Sequence, residues 1–159
     1  MKFNSALKNF VLVLFSTLLI SACSTAKKAS VDTVDDVYTG TDTVEYLANG
    51  VPDRVFFATN KSSLTTRSRD TLRKQATYLR KNKDLTVTID GHADERGTRE
   101  YNLALGERRA NAAKDYLMTY GVSGKRISVI SYGKEKPVNP ASSPLAWSQN
   151  RRSVTIKAN

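Results

Sequence analysis

The stretch Leu85-Thr86-Val87-Thr88-Ile89-Asp90-Gly91-His92-Ala93-Asp94-Glu95-Arg96-Gly97 decides how this chain folds. Leu85, Val87 and Ile89 alternate with Thr86, Thr88 and Asp90, the pattern of a half-buried strand. The alternation stops at Gly91, and a polar loop closed by Gly97 follows. Outward from this strand the periods change. Leu72, Ala76 and Leu79 recur at helical spacing and predict a helix over 66–81, closed by Asn82. A second helix is expected over about 102–120. Its inner face would carry Leu105, Ala112, Ala113, Tyr116 and Leu117, and Gly121 stands where a capping glycine belongs. Arg54-Val55-Phe56-Phe57 predicts a first strand, residues 127–132 a third and residues 154–156 a last, with a loop over 133–150. The expected order is β-α-β-α-β-β, an α/β (α+β) two-layer sandwich with helices on one face of a sheet.

The N-terminus carries different signals. Lys2 and Lys8 precede an apolar run over 10–20, which is short of the roughly 20 residues that span a bilayer. A basic segment followed by a short apolar one reads as a secretory signal peptide over 1–22. It ends in Leu19-Ile20-Ser21-Ala22-Cys23, and Cys23 is the only cysteine of the 159 residues, so it has no intramolecular disulfide partner. Residues 20–23 resemble the bacterial lipobox, which implies cleavage before Cys23 and lipidation of its sulfur. Several acyl chains on one residue give a durable anchor where a single chain is marginal. Ser24 in place of an aspartate implies, by the sorting rule of such lipoproteins, the outer membrane. Residues 23–51 are rich in Ser, Thr, Ala, Asp and Lys. They are read as a lipidated N-terminus and solvated tether in preference to a weak helix with Val31, Val34 and Val37 on one face. A tether of this length has a root-mean-square span of about 30 Å. The globular domain is then 52–159.

The formal net charge is +10, and the chain stays basic without Lys2 and Lys8. That favours anionic partners. Export argues against nucleic acid, as does the lack of aromatic platforms interleaved with basic residues. No cofactor is expected, and no metal site: His92 is the only histidine, and the domain has no cysteine to complete a zinc set. An enzyme acting on the cell wall would need a metal set, a nucleophile with its base, or a carboxylate pair, and no such catalytic group stands out.

Asp94 follows a strand and Arg109 lies in the next helix, so both reach one rim. A carboxylate accepts from an ammonium, and a guanidinium offers a planar fork to a carboxylate, a combination suited to a zwitterion. On charge pattern alone, an ordinary salt bridge is the simpler reading. The longer motif changes this. Residues 91–117, GHADERGTREYNLALGERRANAAKDYL, with ISVISYGKEKP at 127–137 and NRRSV at 150–154, resemble the OmpA-like domains, and among them the peptidoglycan-associated lipoproteins of Tol–Pal systems. The resemblance spans roughly 55–156. It implies non-covalent binding of peptidoglycan through meso-diaminopimelate, with Asp94 on the amino group and Arg109 on the carboxylate. It also implies a periplasm-facing domain at the outer membrane and Tol-system partners such as TolB, with a partner surface near 133–137. Where the family usually has an acidic residue after its aromatic pair, this chain has Ala58, so backbone groups of Phe57 and Ala58 are expected to line the pocket. Three further expectations follow from the residues. His92 makes a structural hydrogen bond. Arg108, Arg151 and Arg152 form a solvated basic face. Trp147 pins the last loop to the core. Asp94→Ala and Arg109→Ala are both expected to leave the fold intact.

Overall fold

The computed structural model describes residues 31–32 and 36–158. The signal peptide and Cys23 lie outside the described residues. Among the described residues, no helix is long and apolar enough to cross a membrane.

Two small antiparallel pairs come first: β1 (Val31–Asp32) with β2 (Val37–Tyr38), and β3 (Tyr46–Ala48) with β4 (Val51–Pro52). The domain then runs β5 (Arg54–Phe56), α1 (Thr66–Lys81), β6 (Thr86–His92), α2 (Arg99–Thr119), a 3-10 turn (Gly124–Arg126), β7 (Ile127–Gly133), α3 (Pro144–Asn150) and β8 (Arg152–Ala158). The main sheet has the order β5-β8-β6-β7. β8 lies antiparallel to both β5 and β6, while β6 and β7 are parallel. A parallel pair needs a crossover, and α2 supplies it.

The main core joins the sheet to α1 and α2 through Phe57, Leu72, Leu79, Val87, Ile89, Leu117 and Ile127 among others. The expected alternation in β6 holds, with Val87 and Ile89 buried inward. Both long helices begin at a threonine cap: Thr65 accepts from the Ser68 amide at 3.1 Å, and Thr98 from the Tyr101 amide at 3.2 Å. That second cap starts α2 three residues before the expected 102. The buried face of α2 also differs from the expected one. It carries Asn102, Leu105, Gly106, Arg109, Ala110, Ala113 and Leu117, while Ala112 and Tyr116 are only half-buried. Part of the expected loop 133–150 is helical as α3, with Ser143 capping and Pro144 opening it.

A larger correction concerns the tether. Residues 36–52 pack against the domain: Val37, Tyr38 and Leu47 are buried, and the rings of Tyr38 and Phe56 meet edge-on at 4.8 Å. Apolar Val37, Tyr38 and Phe56 form a second small cluster, which removes them from water. The folded unit therefore extends at least to Asp36, well before the expected boundary at residue 52.

One close approach sets the spacing between α2 and β6. A Cβ on Gly91 would collide with the backbone carbonyl of Gly106, and one on Gly106 would fall 2.8 Å from the carbonyl oxygen of Gly91. Gly91→Ala should therefore push α2 off the sheet and destabilise the domain by about 1–3 kcal/mol, the usual cost of overpacking. Urea unfolding measures this, and an unchanged midpoint would show that the helix has room to give.

Candidate functional site

The site forms where β5 and β6 end and β8 begins, beside α2. Asp94 lies two residues past β6, Phe57 and Ala58 directly follow β5, and Arg109 comes in from α2. All four expected residues meet there, but the two charged ones are buried more deeply than a rim allows.

Arg109 is completely buried. Its Nε donates to the Lys61 carbonyl at 2.9 Å, Nη1 to that of His92 at 2.8 Å and Nη2 to that of Ala58 at 3.1 Å. Its guanidinium lies 5.3 Å from the centre of the Phe57 ring. A guanidinium has five N–H donors, so these three bonds leave two without a recorded bond to any described residue. Burial, and then the charge of Arg151, push its pKa down to about 9, while Asp94 pulls the other way. It keeps its proton at neutral pH. Ala58 takes part through its backbone, as expected, and Phe57 through its ring as well. The Phe57 carbonyl is engaged by the Nε of Arg151 at 3.0 Å.

Asp94 is 7% exposed. Its Oδ1 accepts from the backbone N–H and the Nε of Arg96, at 3.1 and 3.2 Å. Its Oδ2 accepts from Arg96 Nη2 at 2.7 Å and from Arg151 Nη1 at 3.3 Å. Burial raises its pKa, but the hydrogen bonds and charge of Arg96, with the Arg151 bond, outweigh this and hold the carboxyl below its ordinary range. Asp94 and Arg109 thus stand near each other without a direct bond, each held by other groups.

Three arginines were misread as one solvated face. Arg108 is exposed, but Arg151 and Arg152 are 1% and 6% exposed. Arg151 belongs to the site and Arg152 to the opposite face of the sheet. Arg96, which no local sequence pattern marks, forms a further wall of the site, its side chain 42% exposed and its guanidinium 4.3 Å from the centre of the Trp147 ring. Trp147 is half-buried and donates through Nε1 to Glu95 at 2.8 Å. It pins the loop carrying Asp94, not the core. The tandem Arg151-Arg152 at the entry to β8 was the signal available for Arg151, since adjacent strand residues point to opposite faces.

The His92 side chain, 4% exposed, stacks on Tyr132 with ring centres 5.6 Å apart. Its Nδ1 is buried and has no hydrogen-bond partner among the described residues, while the backbone of Lys136 supplies the ring with the expected structural hydrogen bond. Burial, then the charges of Arg152, Lys136 and Arg54, lower its pKa to about 3. The folded state therefore refuses a proton that the unfolded chain takes up near pH 6.5. Stability from this group is complete above pH 6.5 and falls as pH drops from 6.5 towards 3. The urea midpoint should be lower at pH 4.5 than at pH 7, and His92→Gln should flatten that slope. An equal slope in wild type and variant would assign the acid sensitivity to other groups. Among the described residues, no three His, Cys, Asp or Glu side chains group as a metal set would.

Beside Ala58 and Thr59, a cavity of about 560 Å³ opens between Asp36 and Val37 on one side and Lys61 and Leu64 on the other. Asp36 and Thr59, which bond Arg151 and Arg96, connect this cavity to the two cations that hold Asp94, and the carbonyls of Ala58 and Lys61 connect it to Arg109.

Residues 56–151 match the OmpA family. The chain belongs to the OmpA family, among the peptidoglycan-associated lipoproteins. A peptidoglycan-associated lipoprotein of Rhizobium meliloti is 56% identical over 106 residues, covering 67% of this chain and 60% of the relative. One from Brucella melitensis is 42% identical over 151 residues, covering 91% of this chain and 89% of the relative. The crystal structure of the peptidoglycan-associated lipoprotein from Burkholderia pseudomallei superposes with a TM-score of 0.65 at 37% identity, over 67% of this chain and 90% of that one. The match thus spans about 60% of the length of the Rhizobium relative, yet nearly the whole of the Brucella one. The OmpA family domain is the part of the fold that holds Asp94, Arg109, Phe57, Ala58 and Arg151.

Proposed function

We propose that this OmpA family member binds peptidoglycan without cutting it, at the site around Asp94 and Arg109. The observation that carries the reading is the gathering of a buried carboxylate and a buried guanidinium at one end of the sheet, next to Phe57 and Ala58. The names of its relatives, peptidoglycan-associated lipoproteins, support it. The ligand group is the zwitterionic end of meso-diaminopimelate in a peptide stem. Its ammonium goes to Asp94 and its carboxylate to the free N–H groups of Arg109, whose three carbonyl bonds hold the fork in place before the ligand arrives. For the ammonium to reach Asp94, Arg96 has to give up part of its hold, and its half-exposed side chain is the one able to move.

Around this domain we place a signal peptide over 1–22, a lipid on Cys23, an outer-membrane location with the domain facing the periplasm, and Tol-system partners such as TolB. In this arrangement the chain ties the outer membrane to the cell wall and serves envelope integrity and cell division. A cell-wall hydrolase has no observation in its favour.

Sedimentation of the mature chain with purified peptidoglycan tests the reading. Binding should survive roughly physiological salt, because partly buried charge pairs are screened less than exposed ones. A free tripeptide ending in meso-diaminopimelate should compete, and the same peptide with its terminal carboxylate amidated should not. Binding that salt abolishes and neither peptide reduces would identify a nonspecific basic surface instead.

A further inference from the structure

Asp36 enters the site from the segment in front of the domain. Its φ is +52°, a left-handed conformation that aspartate tolerates better than most residues. Its Oδ1 lies 2.9 Å from Nη2 of Arg151. The same Nη2 donates to the Asp36 carbonyl, and the Thr59 hydroxyl donates to the other carboxylate oxygen. Arg151 also reaches Asp94 through Nη1 at 3.3 Å, and Thr59 accepts from Arg96 Nη2 at 3.3 Å. The Asp36 carboxylate therefore closes a ring of alternating charges and polar groups that begins and ends at Asp94. It is held from behind by Val37 and Tyr38, which pack on Phe56.

Three features make this more than an ordinary ion pair. Arg151 is 1% exposed, whereas the Asp36 side chain is 46% exposed, so the cation is built into the domain and the anion comes to it from outside. The carboxylate rests on one guanidinium and one hydroxyl beside a second carboxylate, Asp94, which is where the other carboxylate of a terminal diaminopimelate would lie while its zwitterionic end is held by Asp94 and Arg109. Asp36 and Val37 also line the same cavity as Ala58, Thr59 and Lys61.

We infer that Arg151 and Thr59 form a carboxylate seat of the ligand site, and that Asp36 is its internal occupant, displaced when a ligand carboxylate binds. The inference rests on the zwitterion reading above and adds two residues and a competitor to it. A seat filled from within lowers apparent affinity by the fraction of molecules in which it is filled.

Calorimetry on the mature chain, with a tripeptide ending in meso-diaminopimelate as the probe, tests this. If the seat is filled in about nine molecules of ten, Asp36→Ala should bind about tenfold more tightly than wild type. Asp36→Asn, which keeps the shape without the charge, should show a gain in the same direction and guards against a disturbed segment. In the Asp36→Ala background, Thr59→Val should weaken binding about three- to tenfold, because the ligand then loses the hydroxyl that Asp36 used. Equal or weaker binding by both Asp36 variants, with wild type still binding, overturns the inference and leaves the zwitterion reading intact. So does a Thr59→Val change without effect in that background. A peptide bound by neither wild type nor Asp36→Ala overturns both.

Discussion

Arg109→Ala should melt roughly 15 °C or more below wild type, a stability loss of about 3–5 kcal/mol. The sequence alone favours the opposite expectation, since a rim arginine contributes little to folding. The difference is burial. Arg109 is wholly enclosed and bonds carbonyls of Ala58 and Lys61 in the β5–α1 connection and of His92 at the end of β6. Truncation leaves those carbonyls without their donor and opens a cavity over the Phe57 ring. Arg109→Lys should recover only part of the loss, because a single ammonium cannot span three acceptors in the plane of a fork. Thermal melts followed by circular dichroism decide the matter, and a wild-type melting temperature in Arg109→Ala would show that the fork contributes nothing to folding. Loss of ligand binding in Arg109→Ala is therefore informative only at a temperature where the variant is still folded.

Asp94→Ala should lower affinity for the diaminopimelate stem tenfold or more, since a charge-assisted hydrogen bond contributes about 1.5–3 kcal/mol. It also removes the anion between Arg96 and Arg151, so some loss of stability accompanies it. Ligand chemistry separates the two effects. Acetylating the amine of the stem should hurt wild type and add little to the loss in Asp94→Ala, a coupling that a double-mutant cycle reads directly. If folded Asp94→Ala binds the unmodified stem as tightly as wild type, Asp94 is a structural anchor for Arg96 and Arg151, and the ammonium is bound elsewhere.

The order of the main elements was legible because each long element keeps its own period: two in β6, near four in α1. That Asp94 and Arg109 come near each other was legible too. What escaped depends on contacts between distant positions. Arg109 bonds a carbonyl 48 residues away, and Arg151 one 94 residues away. No local pattern distinguishes such arginines from solvated ones, since their partners are main-chain oxygens that carry no residue identity. The polar segment before residue 52 looked like a tether because its apolar groups are few. Three of them, Val37, Tyr38 and Leu47, are nonetheless buried against the domain. The start of α3 was signalled by Ser143-Pro144, but a seven-residue helix is too short for periodicity to reveal.

The position of β8 governs when the domain can fold. β5 and β6 do not touch; each is paired to β8, with Arg54 opposite Val154 and Thr86 opposite Ala158. The last strand of this domain is thus one of the two interior strands of the sheet. Until it arrives, β5 has no hydrogen-bonding neighbour and β6 only β7. Joining β5 to the rest of the sheet therefore waits for a strand about a hundred residues further along the chain, and the sheet closes in a late, long-range step. Removing residues 152–158 would split the sheet, leaving β5 stranded from β6 and β7.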